Sequence, residues 1–407
     1  MIVAVDRQPL AGPRVNELPD QPAPEVSVVM PCLNEADTIA TCIRKAQKAF
    51  ASAGINGEVV IGDNGSTDGS QAIAAELGAR VIAVPTRGYG NALMGGIEAA
   101  RGKYIIMGDA DDSYDFLEVP RFVAKLREGY SLVQGCRLPA GGGRVEPGAM
   151  PPLHRWFGNP MFSFLVRHWF DAKQVHDVYC GLRGFTKEMY QRLDQRCVGM
   201  EFATEMIIKA SLHRERVAEV PVTLHPDGRK SHAPHLRTFR DGWRTLRFFL
   251  MYCPRWLFLV PGLLLMLAGV AGYMVALPGV TIGKVTFDAH TLLFASLALL
   301  CGYQSVLFHI FAKTFAINER LVPEEPYMTA FYKVVNLERG LICALVALLL
   351  GVSLLGAAVL QWRAADFGQL DYAQTMRLVV PGVTATALGF QTVLSSFFVS
   401  ILGMRRR

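Results

Sequence analysis

Asp109-Ala110-Asp111-Asp112 follows a short apolar run, Tyr104-Ile-Ile-Met-Gly108. Two carboxylates at i and i+2, where the chain turns off the end of a strand, can both face the strand's mouth. Hard cations such as Mg²⁺ and Mn²⁺ take oxygen ligands, and bind readily through one or two carboxylates plus substrate phosphates. The pattern fits a metal held against a nucleotide diphosphate, whose departing charge the metal offsets. Acidic turn residues are common, so the pair alone is a weak signal. It gains weight from Asn34-Glu35 and Asp63, which also close apolar runs. About 150 residues later the first of four membrane-length segments begins, which points to a lipid as the other substrate.

The elements that must position these residues follow from periodicity. Strands are expected at 26–30, 58–61, 80–84, 103–107 and 131–134, and helices at 36–50, 69–77 and 90–100. Such alternation predicts an α/β domain with a mostly parallel, Rossmann-like sheet. Ligands of such sheets bind beyond the carboxyl ends of the strands. Asn34-Glu35, Asp63 and Asp109/Asp111 all fall there, so one crevice can collect them.

Beyond the Gly141-Gly142-Gly143 loop, residues 152–171 are rich in aromatics, among them Trp156, Phe157, Phe162, Phe164 and Trp169. The stretch is too short to span a bilayer; it suits either a bilayer surface or a buried helix. In 235–255 an aromatic stripe (Leu236, Phe239, Trp243, Leu246) runs beside an arginine stripe (Arg237, Arg240, Arg244, Arg247), as in an amphipathic juxtamembrane helix. Spans are expected at 256–277, 291–312, 341–360 and 378–402, forming an all-α membrane domain of four transmembrane helices over 256–407. Gln304 and His309 lie inside the second span, as site residues or as helix–helix hydrogen-bond partners. Lys313, Arg320, Lys333, Arg339 and the tail Arg405-Arg406-Arg407 outnumber the Lys284, Arg363 and Arg377 of the opposite loops. That bias places the α/β domain and the C-terminus on the cytoplasmic side of a multi-pass cell-membrane protein.

The net charge is +6, with seven Lys/Arg and one acid between Arg229 and Arg255. This suits an anionic lipid surface better than nucleic acid. The eight cysteines show no CxxC pair or regular spacing, which argues against a zinc site or a disulfide framework. Residues 1–25 carry five prolines and no apolar core of signal-peptide length, so a disordered lead is expected there.

Three blocks carry a resemblance: Val28-Val-Met-Pro31-Cys-Leu-Asn34-Glu35, Gly62-Asp63-Asn-Gly-Ser-Thr-Asp-Gly69 and Gly108-Asp109-Ala-Asp111. In this order they resemble the successive motifs of family-2 glycosyltransferases with a GT-A fold, with Arg87-Gly-Tyr-Gly-Asn-Ala92 like the Gly-rich segment between. Gln134-Gly-Cys-Arg137, Asp177–Phe185 and Gly199–Ala210 are similar to the dolichyl- or polyprenyl-phosphate mannose and glucose synthases. The resemblance covers roughly 26–240 and implies a catalytic domain over 26–234. It implies that Pro31, Asn34, Glu35 and Asp63 line the nucleotide-sugar site, with Asp63 near the base. Asp109 and Asp111 would hold Mg²⁺ or Mn²⁺ and the diphosphate, and Arg229-Lys230 would close over it. Arg137 and Arg183 would face the acceptor phosphate; His176 and Glu205 are lesser candidates. Related enzymes often carry a Gln two residues beyond the second Asp, where this chain has Ser113. That leaves open whether Asp112 or Ser113 joins the metal shell.

The implied reaction is transfer of a hexose, from UDP-glucose first and GDP-mannose second, to a polyprenyl or dolichyl monophosphate with inversion. A processive polysaccharide synthase is the rival enzyme. Its Gln-x-x-Arg-Trp motif is missing, since Tyr252 stands three before Arg255-Trp256. A flippase or scaffold with a degenerate catalytic domain is the rival outside enzymology, and the complete Asp63/Asp109/Asp111 set argues against it.

Overall fold

A computed structural model describes residues 23–229, 238–319, 322–324 and 326–404. The expected lead before residue 23, Lys230, Arg237 and the terminal arginines lie outside them, as do the side chains of Phe239 and Arg240. The chain divides into two compact units. One holds the residues up to Pro151, Cys180–Phe202 and the segment from Arg216; the other holds Pro152–Tyr179, Ala203–Glu215 and the C-terminal part.

In the first unit the strands are β1 (Val26–Cys32), β2 (Gly57–Asp63), β3 (Arg80–Ala83), β4 (Tyr104–Met107), β5 (Leu132–Cys136), β6 (Arg144–Val145), β7 (Arg183–Thr186), β8 (Val217–Pro221) and β9 (Thr223–Leu224). Seven of them form one sheet in the order β3-β2-β1-β4-β7-β5-β8. The pairings are parallel except at β7, which is antiparallel to both β4 and β5. Helices α1 (Ile39–Ala53), α2 (Ser70–Glu76), α3 (Tyr89–Ala99), α4 (Val119–Arg127) and α6 (Lys187–Leu193) complete the unit; α5 and the later helices are given below. β1 is almost wholly buried, as expected of a central strand covered on both faces.

At the strand starts, away from the crevice, Ser27 is buried. Its Oγ donates to Glu58 at 2.8 Å and accepts from the Gly102 N–H. Glu58 also pairs with Arg80 and Arg101, tying β1, β2, β3 and the turn into β4 together. On the crevice side, a Cβ at Gly62 would collide with the Ala92 carbonyl oxygen. Only glycine lets α3 lie this close to β2, which fixes where Tyr89 begins that helix.

The second unit contains α5 (Asn159–Trp169), most of α7 (Glu201–Leu212), α8 (Thr238–Tyr252) and the long helices α9 (Val260–Ala276), α10 (Ala289–Asn318), α12 (Leu337–Ala364) and α13 (Tyr372–Leu402). A short α11 (Pro326–Val334) and a hairpin of β10 (Thr281–Ile282) and β11 (Val285–Thr286) connect them. Four helices are long and apolar enough to cross a membrane: Arg255–Ala276, Ala289–Asn318, Leu337–Ala364 and Tyr372–Leu402.

The two compact units do not follow a single boundary near residue 234. Segments 152–179 and 203–215 belong with the second unit because their side chains pack there. Phe162 lies edge-on to Tyr179 and Phe249, and Tyr252 donates to Glu205. Within 152–171, Phe162 and Val166 are buried, while Trp156 and Phe157 are 71 % and 60 % exposed. In α8, Phe248 and Phe249 face inward while Trp243, Arg244 and Arg247 face outward.

Small residues set the spacing of the long helices, as is usual in membranes. A Cβ at Gly262 would press on the Gly302 carbonyl, and one at Gly351 on the Gly382 carbonyl. The partner helices thus come from the same chain. Tyr273, Ser296 and Thr384 join α9, α10 and α13 through hydroxyl hydrogen bonds of 2.6 and 3.1 Å. His309 is buried in the bundle.

Candidate active site

Two loops interlock at the ends of β1 and β2. The Asn34 N–H donates to Ser66 Oγ, its side chain accepts from the Thr67 N–H, and the Glu35 N–H donates to Ser70 Oγ, all at 2.9 Å. Asn34 takes a left-handed backbone (φ 61°), a conformation asparagine tolerates better than most residues. Asp63 is almost fully buried and accepts from the Gly65 and Ser66 N–H groups and from Gln71 Nε2 at 2.6 Å. Its carboxylate is engaged in shaping the β2 loop. Pro31 is partly exposed on β1 beside Gly62.

The carboxylates after β4 are each held by a hydroxyl. Tyr89 Oη donates to Asp109 Oδ1 at 2.8 Å, and Ser113 Oγ donates to Asp111 Oδ1 at 2.6 Å. Each aspartate keeps a second oxygen for another role. Burial and the neighbouring Asp111 carboxylate raise Asp109 to about 6, against the pull of Arg229 and Arg137. Burial and Asp109 push the Tyr89 phenol well above its ordinary value, so it stays protonated and donates.

The two residues after the aspartate pair have partners of their own. Asp112, with φ 59°, turns away and pairs with Lys45 of α1 at 2.7 Å. Ser113 orients Asp111.

Arg229 reaches the same place. The strand-end segment before it runs beside residues 111–114, through the His225 N–H to Ser113 O and the Gly228 N–H to Asp111 O. Its guanidinium grips Glu35 with two bonds of 2.6 and 2.7 Å, pairs with Asp227 at 2.8 Å and lies 3.4 Å from Asp111. Burial opposes its charge, but these carboxylates more than offset that.

Arg137 is buried, with Nη1 donating to Tyr114 Oη at 3.3 Å, an oxygen that also accepts from the Gly181 N–H at 2.8 Å. Arg183 opens β7 at 0 % exposure and donates to the Cys180 carbonyl at 2.7 Å. Arg137 acts electrostatically on Asp109 and Arg183 on Tyr89, so both guanidinium charges act on the same pair. The structure thus gathers Asn34, Glu35, Asp63, Asp109, Asp111, Arg137, Arg183 and Arg229 at the strand ends. Glu205 is not among them: it pairs with Lys209 one turn on, buried in the second unit. His176 also lies in the second unit.

Tyr89 and Tyr114 escaped the sequence reading. Tyr89 sits in the Gly-rich segment, and a tyrosine there was the available signal. Five of the eight cysteines are buried, Cys197 is partly exposed, and Cys301 and Cys343 are exposed. All eight are free, and burial pushes the Cys32 thiol up to about 11, out of reach of thiolate chemistry.

A divalent cation fits this donor set. Asp109 and Asp111 offer two carboxylates whose charges repel one another, and Mg²⁺ commonly takes one or two carboxylates plus substrate phosphates. Among the described residues no cluster of three His, Cys, Asp or Glu could hold a metal alone, so the diphosphate would complete the shell. Removing the hydroxyl that orients one ligand should weaken metal binding. Tyr89→Phe is expected to lower Mn²⁺ affinity in the presence of a nucleoside diphosphate by about tenfold. Titration of bound Mn²⁺ by electron paramagnetic resonance measures this; unchanged affinity would remove Tyr89 from the site.

Comparison with known proteins bears on the family. The profile for glycosyl transferase family 2 matches residues 27–194, and that for the glycosyltransferase family 2 C-terminal transmembrane region matches 310–403. The low-salt glycan biosynthesis hexosyltransferase Agl6 of Haloferax volcanii is 38 % identical over 382 residues, covering 94 % of this chain and 90 % of that protein. A dolichyl-phosphate hexose transferase of the same organism is 30 % identical over 198 residues, 49 % of this chain and 82 % of its own length. The crystal structure of glucosyl-3-phosphoglycerate synthase from Mycobacterium tuberculosis, with Mn²⁺, UDP-glucose and phosphoglyceric acid, covers 56 % of this chain and 80 % of its own at 22 % identity and TM-score 0.45. Motif order, the mostly parallel sheet and a full-length relative converge: the chain is a family-2 glycosyltransferase, with a catalytic α/β domain and the family's C-terminal transmembrane region.

Proposed function

We propose that the enzyme transfers a hexose, from UDP-glucose in preference to GDP-mannose, onto a polyprenyl or dolichyl monophosphate at the cytoplasmic face of the membrane. One observation carries the acceptor assignment. Among the described residues of this unit, the strand-end carboxylates Glu35 and Asp227 are engaged with Arg229, Asp112 with Lys45 and Asp63 with its own loop. A sugar hydroxyl needs a general base, and none of these four stands uncommitted. A phosphate monoester, with its second pKa about 6, is already largely ionised at neutral pH. The relative named as a dolichyl-phosphate hexose transferase supports the same acceptor class.

In this reading an acceptor phosphate oxygen attacks the anomeric carbon as the bond to the nucleoside diphosphate breaks, with inversion and no proton to remove. A divalent cation on Asp109 and Asp111 would supply the charge that stabilises the departing diphosphate. Arg229 orients Asp111 and Glu35 at the diphosphate end. Arg137 offers a planar fork suited to phosphate oxygens. Arg183 is fully enclosed and acts from behind, holding the Cys180 carbonyl and adding positive charge near Tyr89. Four crossings would return the chain to its starting side, and the Lys/Arg bias of the α10–α12 connection supports a cytoplasmic catalytic domain.

The donor is tested by offering labelled UDP-glucose, GDP-mannose and UDP-N-acetylglucosamine to membranes containing the protein and polyprenyl phosphate. Label from UDP-glucose should enter an acid-labile lipid at least tenfold faster than from the other two. Faster transfer from GDP-mannose would reverse the donor assignment.

A further inference from the structure

α13 packs along both α10 and α12, and a cleft of about 1070 Å³ opens where those two helices diverge. That is at the upper end of ligand sites, which run roughly 300–1,000 Å³. α11 roofs it. On α10 the lining runs from Tyr303 to Asn318, roughly 20 Å at a rise of about 1.5 Å per residue.

The two ends of the cleft differ in chemistry. Leu307, Ile310 and Val399 form apolar wall, and several of the hydroxyls among them bond within the bundle. Tyr303 bonds Thr392 at 2.7 Å, Thr314 bonds Tyr332, and Ser396 donates to the Thr392 carbonyl at 2.7 Å. A wall whose polar groups are paired internally suits hydrocarbon, not a sugar or nucleotide that needs its own partners. The mouth gathers Lys333 and Arg339, both exposed, with Asn318 and Asn336 and, among the described lining residues, one acid, Glu324. It lies where α10 and α13 end and α12 begins, so the charged lining of the cleft sits at one end.

We propose that this cleft holds one polyprenyl phosphate, its hydrocarbon between α10 and α12 and its phosphate at Lys333 and Arg339. Two cations against one acid complement a monoester that carries more than one negative charge at neutral pH. The proposal rests on the lipid-phosphate reading of the reaction, but its residues are separate from the catalytic crevice. It makes the membrane bundle a substrate- or product-holding element as well as an anchor.

The test uses the full chain in detergent micelles, with native mass spectrometry of retained lipid after addition of polyprenyl phosphate or phosphatidylglycerol. Val399→Trp fills the wall, and Lys333→Glu with Arg339→Glu reverses the mouth at exposed positions. Wild type should retain polyprenyl phosphate, and each variant should retain at least tenfold less while binding a nucleoside diphosphate with Mn²⁺ as wild type does. Retention at the wild-type level in both variants would overturn the cleft assignment. So would displacement of polyprenyl phosphate by an equal concentration of phosphatidylglycerol, which would mark an ordinary phospholipid site. Wild type that keeps polyprenyl phosphate at this cleft yet transfers no sugar to it would overturn the acceptor reading and leave the cleft standing.

Discussion

Asp111→Ala is expected to lower kcat by about 10³-fold, the scale seen when one preorganised electrostatic contact to developing charge is removed. The reason lies in how the residue is held. One carboxylate oxygen takes the Ser113 N–H and hydroxyl, and the other lies 3.4 Å from Arg229. The alanine variant therefore loses a metal ligand and also releases Ser113 and part of the Arg229 network. Asp111→Asn separates these losses, because the amide keeps an acceptor for Ser113 but gives up the charge. It should fold as wild type does and still lose most of the activity. Initial rates with Mn²⁺ varied over several decades make the measurement. Activity within tenfold of wild type in the alanine variant would exclude Asp111 as a metal ligand.

The second large effect is on stability. Arg229→Met is expected to destabilise the catalytic unit by about 3 kcal/mol, because it leaves a buried carboxylate without its counter-charge. Glu35 is 5 % exposed, and its two oxygens take the two short Arg229 bonds. Asp111 and Asp227 lose a positive neighbour as well. Adding Glu35→Gln should recover a good part of the loss, since a neutral amide tolerates burial better than an unpaired carboxylate. Thermal unfolding followed by a probe inside the α/β unit reads this directly and avoids mixing in the membrane helices. A single variant as stable as wild type, or a double variant no better than the single, would show that the pair carries little.

The sequence made the parallel core and the crevice legible because both leave local marks. β1, β2 and β4 are continuous apolar runs, and each ends in a polar cluster where the ligand belongs. β7 left no such mark. Arg183-Gly-Phe-Thr186 is short and opens with a charged residue, and its place between β4 and β5 depends on pairing with strands far away in sequence. The break of the soluble region into two units was hidden for a related reason: Phe162 finds Phe249 only in three dimensions. Within the site, residue types were readable and commitments were not. Asp112 looked like a spare ligand until its left-handed backbone turned it onto Lys45. Asp63 is engaged with its own loop, and Tyr89 became visible only through its bond to Asp109.

The central claim is that the nucleophile is a lipid phosphate and that no protein base is needed. The direct measurement supplies purified full-length protein in lipid vesicles with labelled UDP-glucose, a divalent cation, and either polyprenyl phosphate or the corresponding polyprenol. The two acceptors share the chain and differ only in the reacting group. The account predicts transfer to the phosphate, a product that releases glucose in mild acid, and transfer to the alcohol at least 10³-fold slower. Comparable rates with the two acceptors would contradict it, because they would require a general base that the proposed mechanism does not use.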